Sequence, residues 1–232
     1  RQKMVDQSLK LAKAVGYYSA GTVEFVVDKD KNFYFLEMNT RLQVEHPVTE
    51  LTTGVDLVEQ MIKVAYGDKL TIQQKDINFQ GNAIECRIYA EDSAKNFLPS
   101  IGRLTRYIEP LGKKIRIDSG VVEGSEISMF YDPMISKLCT YSNDRISTIN
   151  EMLNALDRYF IEGVETNKDF LSNILQNKEF MQGTFSTSFI SENYPKGYSS
   201  YDIDIKEKEI LYCVATFINF KYLMRAASIA NQ

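Results

Sequence analysis

Two stretches, TVEFVVD at residues 22–28 and FYFLEMNTRLQVEHPVTE at residues 33–50, decide how this chain is read. Thr22 to Asp28 and Phe33 to Asn39 are apolar runs rich in β-branched and aromatic residues, separated by the polar KDKN, which is the pattern of a β-hairpin. Across a four-residue loop the paired numbers sum to a constant, so Val26 is expected opposite Phe35 and Glu24 opposite Glu37. Opposed Cβ atoms lie about 4.5–5.5 Å apart, and two carboxylates roughly 4 Å apart repel by about 4 kcal/mol at an effective dielectric near 20. Such a pair requires a cation, a shared proton or water. Two carboxylates completed by phosphate oxygens and water suit magnesium better than a softer metal; the alternative is two solvated glutamates on an outer face. Continuing the period of two, Glu37, Asn39, Arg41, Gln43 and Glu45 are expected on one side of an extended segment that runs to Pro47, with Met38, Leu42 and Val44 on the other. A guanidinium beside a carboxylate fits a small planar oxyanion that must also lose a proton, as bicarbonate does. A buried ion-pair network accounts for the same residues.

Upstream, Met4, Val5, Leu9, Ala12 and Val15 recur at helical spacing before Gly16, so the spacing predicts an opening amphipathic helix. Downstream, Val55, Val58, Met61, Ile62 and Ala65 form one face of a second helix, with Thr52 or Thr53 as cap and Gly67 as stop. After the connector TIQQKDINFQG, short alternating runs from Asn82 to Tyr141 (NAIECRIYA, RLTRYIE, KIRIDSG, EISMF, ISKLCTYS) predict a β-rich region. In NAIECRIYA the alternation puts Glu85, Arg87 and Tyr89 on the face opposite Ile84, Cys86 and Ile88. Helical spacing returns at Ile146, Ile149, Met152, Leu153, Leu156 and Phe160, and again at Phe170, Leu171, Ile174 and Leu175 behind a cap at Thr166 or Asn167. A turn-rich linker, YPKGYSSYD, precedes an apolar helix from Ile210 to Ile218 onward. Asp118 and Asp132 read as turn residues, and His46, the single histidine, as an anchor of the turn before Pro47.

The chain has 232 residues, 44% hydrophobic and 25% charged, with a formal net charge of −4. That charge, with no clustered basic stripe, argues against nucleic acid as a partner. Cys86, Cys139 and Cys213 are odd in number and widely spaced, which suits reduced thiols in an intracellular protein better than a disulfide framework or a zinc site. No apolar run approaches the roughly 18–20 residues that span a bilayer, so no membrane association is expected.

AGTVEFVV followed by FYFLEMNTRLQVEHPVTELTTGVDLV closely resembles the signature of biotin carboxylases, of the ATP-grasp superfamily; EMNTRLQVEHPVTE, Glu37 to Glu50, is its most specific part. ECRIYAED at Glu85 to Asp92, then FLPSIGRLTRY and YDPMISKL, continue the resemblance to about residue 195. It implies an α+β fold: the end of an ATP-grasp domain over residues 1–73, a biotin carboxylase C-terminal domain with an antiparallel sheet and flanking helices over 74–195, and a linker with the start of a biotin-transfer domain over 196–232. It also implies ATP-dependent carboxylation of biotin carried on another domain, with magnesium (or manganese) and bicarbonate. By resemblance, Glu24, Glu37 and Asn39 hold the metal, and Arg41, Gln43 and Val44 bind bicarbonate. Glu45 is the general base, and Arg87 stabilises the enolate-like oxyanion of biotin.

The resemblance further implies a biotinyl carrier domain as partner, self-association through the region after Asn82, and a location in bacterial cytoplasm or the mitochondrial matrix. The closing segment, from Lys206 to Gln232, resembles the helix that follows the carboxylase domain in propionyl-CoA carboxylase α subunits, where the region docks on a carboxyltransferase β subunit. An exposed apolar face on Ile210, Val214, Phe217 and Ile218 is expected there. Within these residues there is no glycine-rich phosphate loop and no Met-Lys-Met biotinylation tripeptide. The segment is therefore expected to carry the metal and bicarbonate half of a site and to be inactive by itself. Another ATP-grasp ligase, related to carbamoyl-phosphate synthase, and a non-catalytic scaffold or dimerisation module are the alternatives.

Overall fold

In the computed structural model, which describes residues 1–199 and 205–230, helix α1 (Gln2–Ala14) leads into the hairpin of β1 (Thr22–Val27) and β2 (Phe33–Asn39). The turn is organised by Asp28, whose Oδ1 accepts from the backbone N–H of Asp30 and Asn32 at 2.9 and 2.8 Å and whose Oδ2 accepts from Asn32 Nδ2 at 2.9 Å. Glu24 stands opposite Glu37 as the sequence predicts, but Val26 pairs with Tyr34 rather than Phe35. The loop takes five residues, and a bulge between the Phe25–Phe35 and Glu24–Glu37 pairs leaves Leu36 as the extra residue. Without that bulge Glu24 would face Leu36, because a one-residue slip moves every side chain to the other face.

The extended segment expected to reach Pro47 ends earlier. Strand geometry stops at Asn39, and α2 (His46–Thr53) begins just ahead of Pro47, which is buried in its first turn, where the missing N–H costs nothing. Thr52 and Thr53 therefore end one helix instead of starting the next. The cap of α3 (Leu57–Tyr66) is Asp56, accepting from Glu59 N at 2.8 Å, and Gly67 closes it in the left-handed conformation, as expected.

The second half is built on a three-stranded antiparallel sheet of β3 (Asn82–Tyr89), β8 (Ile115–Ser119) and β10 (Met134–Ser142), in the order β3-β10-β8. Between β3 and β8 come the short pieces β4 (Glu91–Asp92), β5 (Leu98–Pro99), β6 (Gly102–Arg103) and β7 (Arg106–Ile108); β9 (Glu126–Ile127) precedes β10. After β10 follow α4 (Arg145–Asp157), β11 (Phe160–Glu162), α5 (Lys168–Gln176), α6 (Lys178–Gln182), α7 (Phe189–Asn193) and α8 (Ile205–Ala230). Gly81 enters β3 at φ +62°, and a Cβ there would lie 2.4 Å from the Ser142 carbonyl, so this position requires glycine. Ile88, Ile135 and Leu138 from the sheet meet Ile149, Met152 and Leu156 from α4 in one buried core. Asp144 caps α4 by accepting from Ser147 N at 2.9 Å.

Asp118, expected in a turn, lies inside β8. Asp132 does organise a turn, accepting from Met134 N at 2.8 Å. The last helix starts at Ile205, earlier than the sequence spacing suggests, and Ile210, Val214, Phe217 and Ile218 are exposed on it, as are Leu211, Tyr212 and Leu223. Part of the expected linker, residues 200–202, and the chain's last two residues lie outside the described residues. No helix among the described residues is long and apolar enough to cross a membrane. Leu138 is fully buried on the central strand; Leu138→Ala is expected to lower stability by about 2–5 kcal/mol in urea unfolding, through the lost burial and the cavity left behind.

Candidate active site

The hairpin and the turn after it gather five of the residues singled out from sequence. Asn39 Nδ2 donates to Glu24 Oε1 at 2.8 Å and to Glu37 Oε1 at 3.1 Å, so one amide spans the two carboxylates. Gln43 Nε2 donates to the same Glu24 oxygen at 2.8 Å, and Arg41 Nη2 donates to Asn39 Oδ1 at 3.3 Å. These residues converge even though residues 40–45 are not a strand, because the turn folds Gln43 back onto the hairpin. His46 secures that turn: its backbone N–H donates to the Gln43 carbonyl at 3.3 Å, and its Nδ1 lies 2.7 Å from the same oxygen. Among the described residues there is no cluster of three or more His, Cys, Asp and Glu able to hold a metal. The oxygen donors here are two carboxylates and the Asn39 amide.

Glu45, at the start of α2, reaches across to the sheet. Arg87 Nη2 donates to Glu45 Oε2 at 2.6 Å, joining residues 42 positions apart; the side chains are 37% and 48% exposed. Arg87 Nε lies 3.6 Å from Glu85 Oε1, and the Glu85 side chain is 5% exposed. Burial opposes the Arg87 charge, but a hydrogen bond with Tyr89 and the fields of Tyr89, Glu45 and Glu85 outweigh it and raise its pKa. Burial dominates at Glu85 and pushes its carboxyl above the usual range, against the fields of Lys137 and Arg87 and a hydrogen bond from Cys139. Glu85 Oε1 accepts no hydrogen bond, while Oε2 accepts from Cys139 Sγ at 3.6 Å.

Behind the site runs a chain of charges that sequence reasoning missed. Lys137 on β10 donates to the Val44 carbonyl at 3.2 Å and pairs with Asp118 Oδ2 at 3.0 Å; its side chain is 12% exposed. Asp118 also pairs with Arg116 Nε at 2.8 Å, and Arg116 Nη1 reaches Glu50 Oε2 on α2 at 2.6 Å. Glu50 Oε1 accepts from Leu57 N at 2.7 Å, so the same carboxylate orients the entry to α3. The available signal was the alternation in KIRIDSG, which puts Arg116 and Asp118 on one face of a strand; reading Asp118 as a turn residue hid it. Asn167, expected as a helix cap, occupies the N-cap position of α5, but its side chain serves the sheet instead. Its Nδ2 donates to the Arg87 carbonyl at 3.0 Å and its Oδ1 accepts from Tyr89 N at 2.9 Å.

With this geometry established, comparison with known proteins is specific. The family model of the biotin carboxylase C-terminal domain matches residues 85–192, and that of the carbamoyl-phosphate synthase L chain ATP-binding domain matches residues 1–73. The mitochondrial propionyl-CoA carboxylase α chain of Caenorhabditis elegans is 50% identical over 234 residues, covering 100% of this chain and 32% of that one. Residues 85–192 thus belong to the biotin carboxylase C-terminal domain family. The Homo sapiens propionyl-CoA carboxylase α chain is 52% identical over 228 residues, covering 97% of this chain and 31% of that one. Among solved structures, the biotin carboxylase domain dimer of the Hydrogenobacter thermophilus 2-oxoglutarate carboxylase, in complex with MgADP, ADP and bicarbonate, superposes with a TM-score of 0.80 at 46% identity; the match covers 83% of this chain and 43% of that one. The α+β biotin carboxylase fold expected from the sequence is thus borne out, and the chain spans about a third of the length of the curated relatives it matches.

Asp118 gives a pH prediction. Burial raises its pKa, but the Arg116 and Lys137 hydrogen bonds and fields prevail and hold the carboxyl below its ordinary value of 3.8. A carboxylate with a depressed folded-state pKa contributes stability above its unfolded pKa of about 3.9 and loses that contribution as pH falls through the folded value. Acid unfolding of the protein should therefore steepen below about pH 4, and Asp118→Asn should be less stable near neutrality with a flatter acid limb, as followed by circular dichroism.

Proposed function

We propose that this segment supplies the metal- and bicarbonate-binding half of a biotin carboxylase site in an acyl-CoA carboxylase, and that the whole protein carboxylates carrier-borne biotin with ATP and bicarbonate. The observation that carries the reading is the 2.6 Å ion pair between Glu45 and Arg87, which joins the two signature segments into one site. The family-model matches over residues 1–73 and 85–192 support an ATP-grasp end over 1–73 and a carboxylase C-terminal domain over 74–195. Residues 196–232 are read as linker and the start of a biotin-transfer domain.

The donor set fits magnesium. Glu24 and Glu37 oppose one another, both are hard oxygen ligands, and the Asn39 amide, turned about its last torsion, offers Oδ1 beside them. When bound, the ion would neutralise charge on the ATP phosphates. Arg41 and Gln43 then present N–H donors to bicarbonate, and Val44, whose carbonyl accepts from Lys137 at 3.2 Å, is the third residue proposed to contact the anion. Glu45 takes the bicarbonate proton, and the oxyanion left behind attacks the terminal phosphoryl group of ATP, giving carboxyphosphate and ADP. Carboxyphosphate breaks to carbon dioxide and phosphate, the phosphate accepts the proton from biotin's ureido nitrogen, and that nitrogen bonds to the carbon of carbon dioxide to give carboxybiotin. Arg87 meets the negative charge that gathers on the ureido oxygen, the kind of preorganised electrostatic contact that is commonly worth a few kcal/mol.

A biotinyl carrier domain, a carboxyltransferase β subunit and a second copy of the chain are the proposed partners. The mitochondrial relatives support a mitochondrial location, with bacterial cytoplasm as the counterpart. In a full-length chain containing this segment, Glu45→Gln should lower bicarbonate-dependent ATP cleavage roughly 100- to 10,000-fold while leaving the fold intact. A near-normal rate would remove Glu45 from the mechanism. The 232-residue segment in isolation is expected to release no ADP in the presence of bicarbonate and magnesium.

A further inference from the structure

Arg87 carries its charge between two carboxylates of opposite character. Glu45, 48% exposed, accepts from Nη2 at 2.6 Å; Glu85, 5% exposed, lies 3.6 Å from Nε. Nε and Nη2 form one edge of the guanidinium plane, so the two acids share a single edge of the fork. Glu85 is placed by the strand. It stands two residues before Arg87 on β3, and its register partner on β10 is Cys139, whose thiol donates to the other Glu85 oxygen. Lys137, the register partner of Arg87, adds a further positive charge from β10 and is itself held by Asp118 of β8. The Glu85 oxygen that faces Arg87 has no hydrogen bond of its own.

The order of events at the site follows from the proposed roles of Glu45 as base and Arg87 as the cation facing biotin, on which the inference rests. When Glu45 takes the bicarbonate proton it loses its negative charge, and the exposed side of the Arg87 pair loses its attraction just before Arg87 is needed by biotin. We propose that Glu85 is a positioning residue for carboxyl transfer: a buried second carboxylate that holds the Arg87 guanidinium in place through Nε while Glu45 is protonated. In this role Glu85 acts only through Arg87, from a side chain that is 5% exposed. The fixed strand position and the Cys139 contact keep its free oxygen aimed at Nε, and the guanidinium closes a short gap to it once Nη2 is released.

The test is a double-mutant cycle in a full-length chain containing this segment, with free biotin as the probe and labelled bicarbonate to follow its carboxylation. Glu85→Gln keeps shape and removes charge. It should lower kcat for biotin carboxylation about 100-fold, the scale of a small misplacement of a catalytic group, with the KM for ATP within about twofold. In an Arg87→Ala background, Glu85→Gln should cost nothing more, because there is no guanidinium left to hold. Full additivity of the two losses, or a KM for ATP rising in step with a lowered Tm, would assign Glu85 to the fold and overturn the proposal. So would a Glu85→Gln rate within twofold of the parent. If Arg87→Ala itself carboxylates biotin at the parent rate, the reading of Arg87 fails and the proposal falls with it; if only the Glu85 variant is silent, the positioning role alone is lost.

Discussion

Glu45 and Arg87 form an ion pair between the turn that opens α2 and the edge strand of a sheet on the other half of the molecule, with N to O at 2.6 Å. Both side chains are well exposed to solvent, and pairs of that kind contribute about 0–1 kcal/mol to stability. Stability is therefore a poor explanation for placing them together. In the proposed function their value lies in joining a proton acceptor and a cation beside the hairpin residues Glu24, Glu37 and Asn39 and the turn residues Arg41 and Gln43.

The pair stands on a less exposed frame. Lys137 fastens the Val44 carbonyl, one residue before Glu45, to the central strand, and Asp118 ties Lys137 to Arg116, which reaches back to Glu50 on α2. Asn167 completes the free edge of β3 at Arg87 and Tyr89. Glu45, proposed as the general base, and Arg87 thus sit on two separately anchored elements, which is what precise positioning of such side chains needs. The core beneath, with Leu138 against Ile149 and Met152, fixes the sheet from which Lys137 and Arg87 project.

Much of this was legible in the sequence, and the misses have physical causes. Alternating apolar runs located β1, β2, β3 and β10, and the arithmetic of antiparallel pairing placed Glu24 opposite Glu37. That pairing arose by a different route, since the loop is one residue longer than counted and a bulge at Leu36 restores the register; a bulge leaves no mark in a period-two pattern. Helix α2 was hidden because its residues, HPVTELTT, are polar and β-branched with a proline near the start, so neither propensity nor periodicity announces it. The EMNTRLQVEHPVTE signature identified the family without any knowledge of that helix. The Glu50–Arg116–Asp118–Lys137 chain was not legible because its members come from three elements, and only the fold shows which charges meet.

If the ion pair makes Glu45 and Arg87 one working unit, substitutions at the two positions must be energetically coupled. Glu45→Gln, Arg87→Ala and the double variant, compared in a full-length chain for biotin-dependent turnover of ATP, give that coupling free energy. Strong non-additivity is expected, above about 1 kcal/mol, with the double variant scarcely worse than the more damaged single one. Losses that simply add would mean that the ion pair does not tie the action of one residue to that of the other, and would break the link drawn between them.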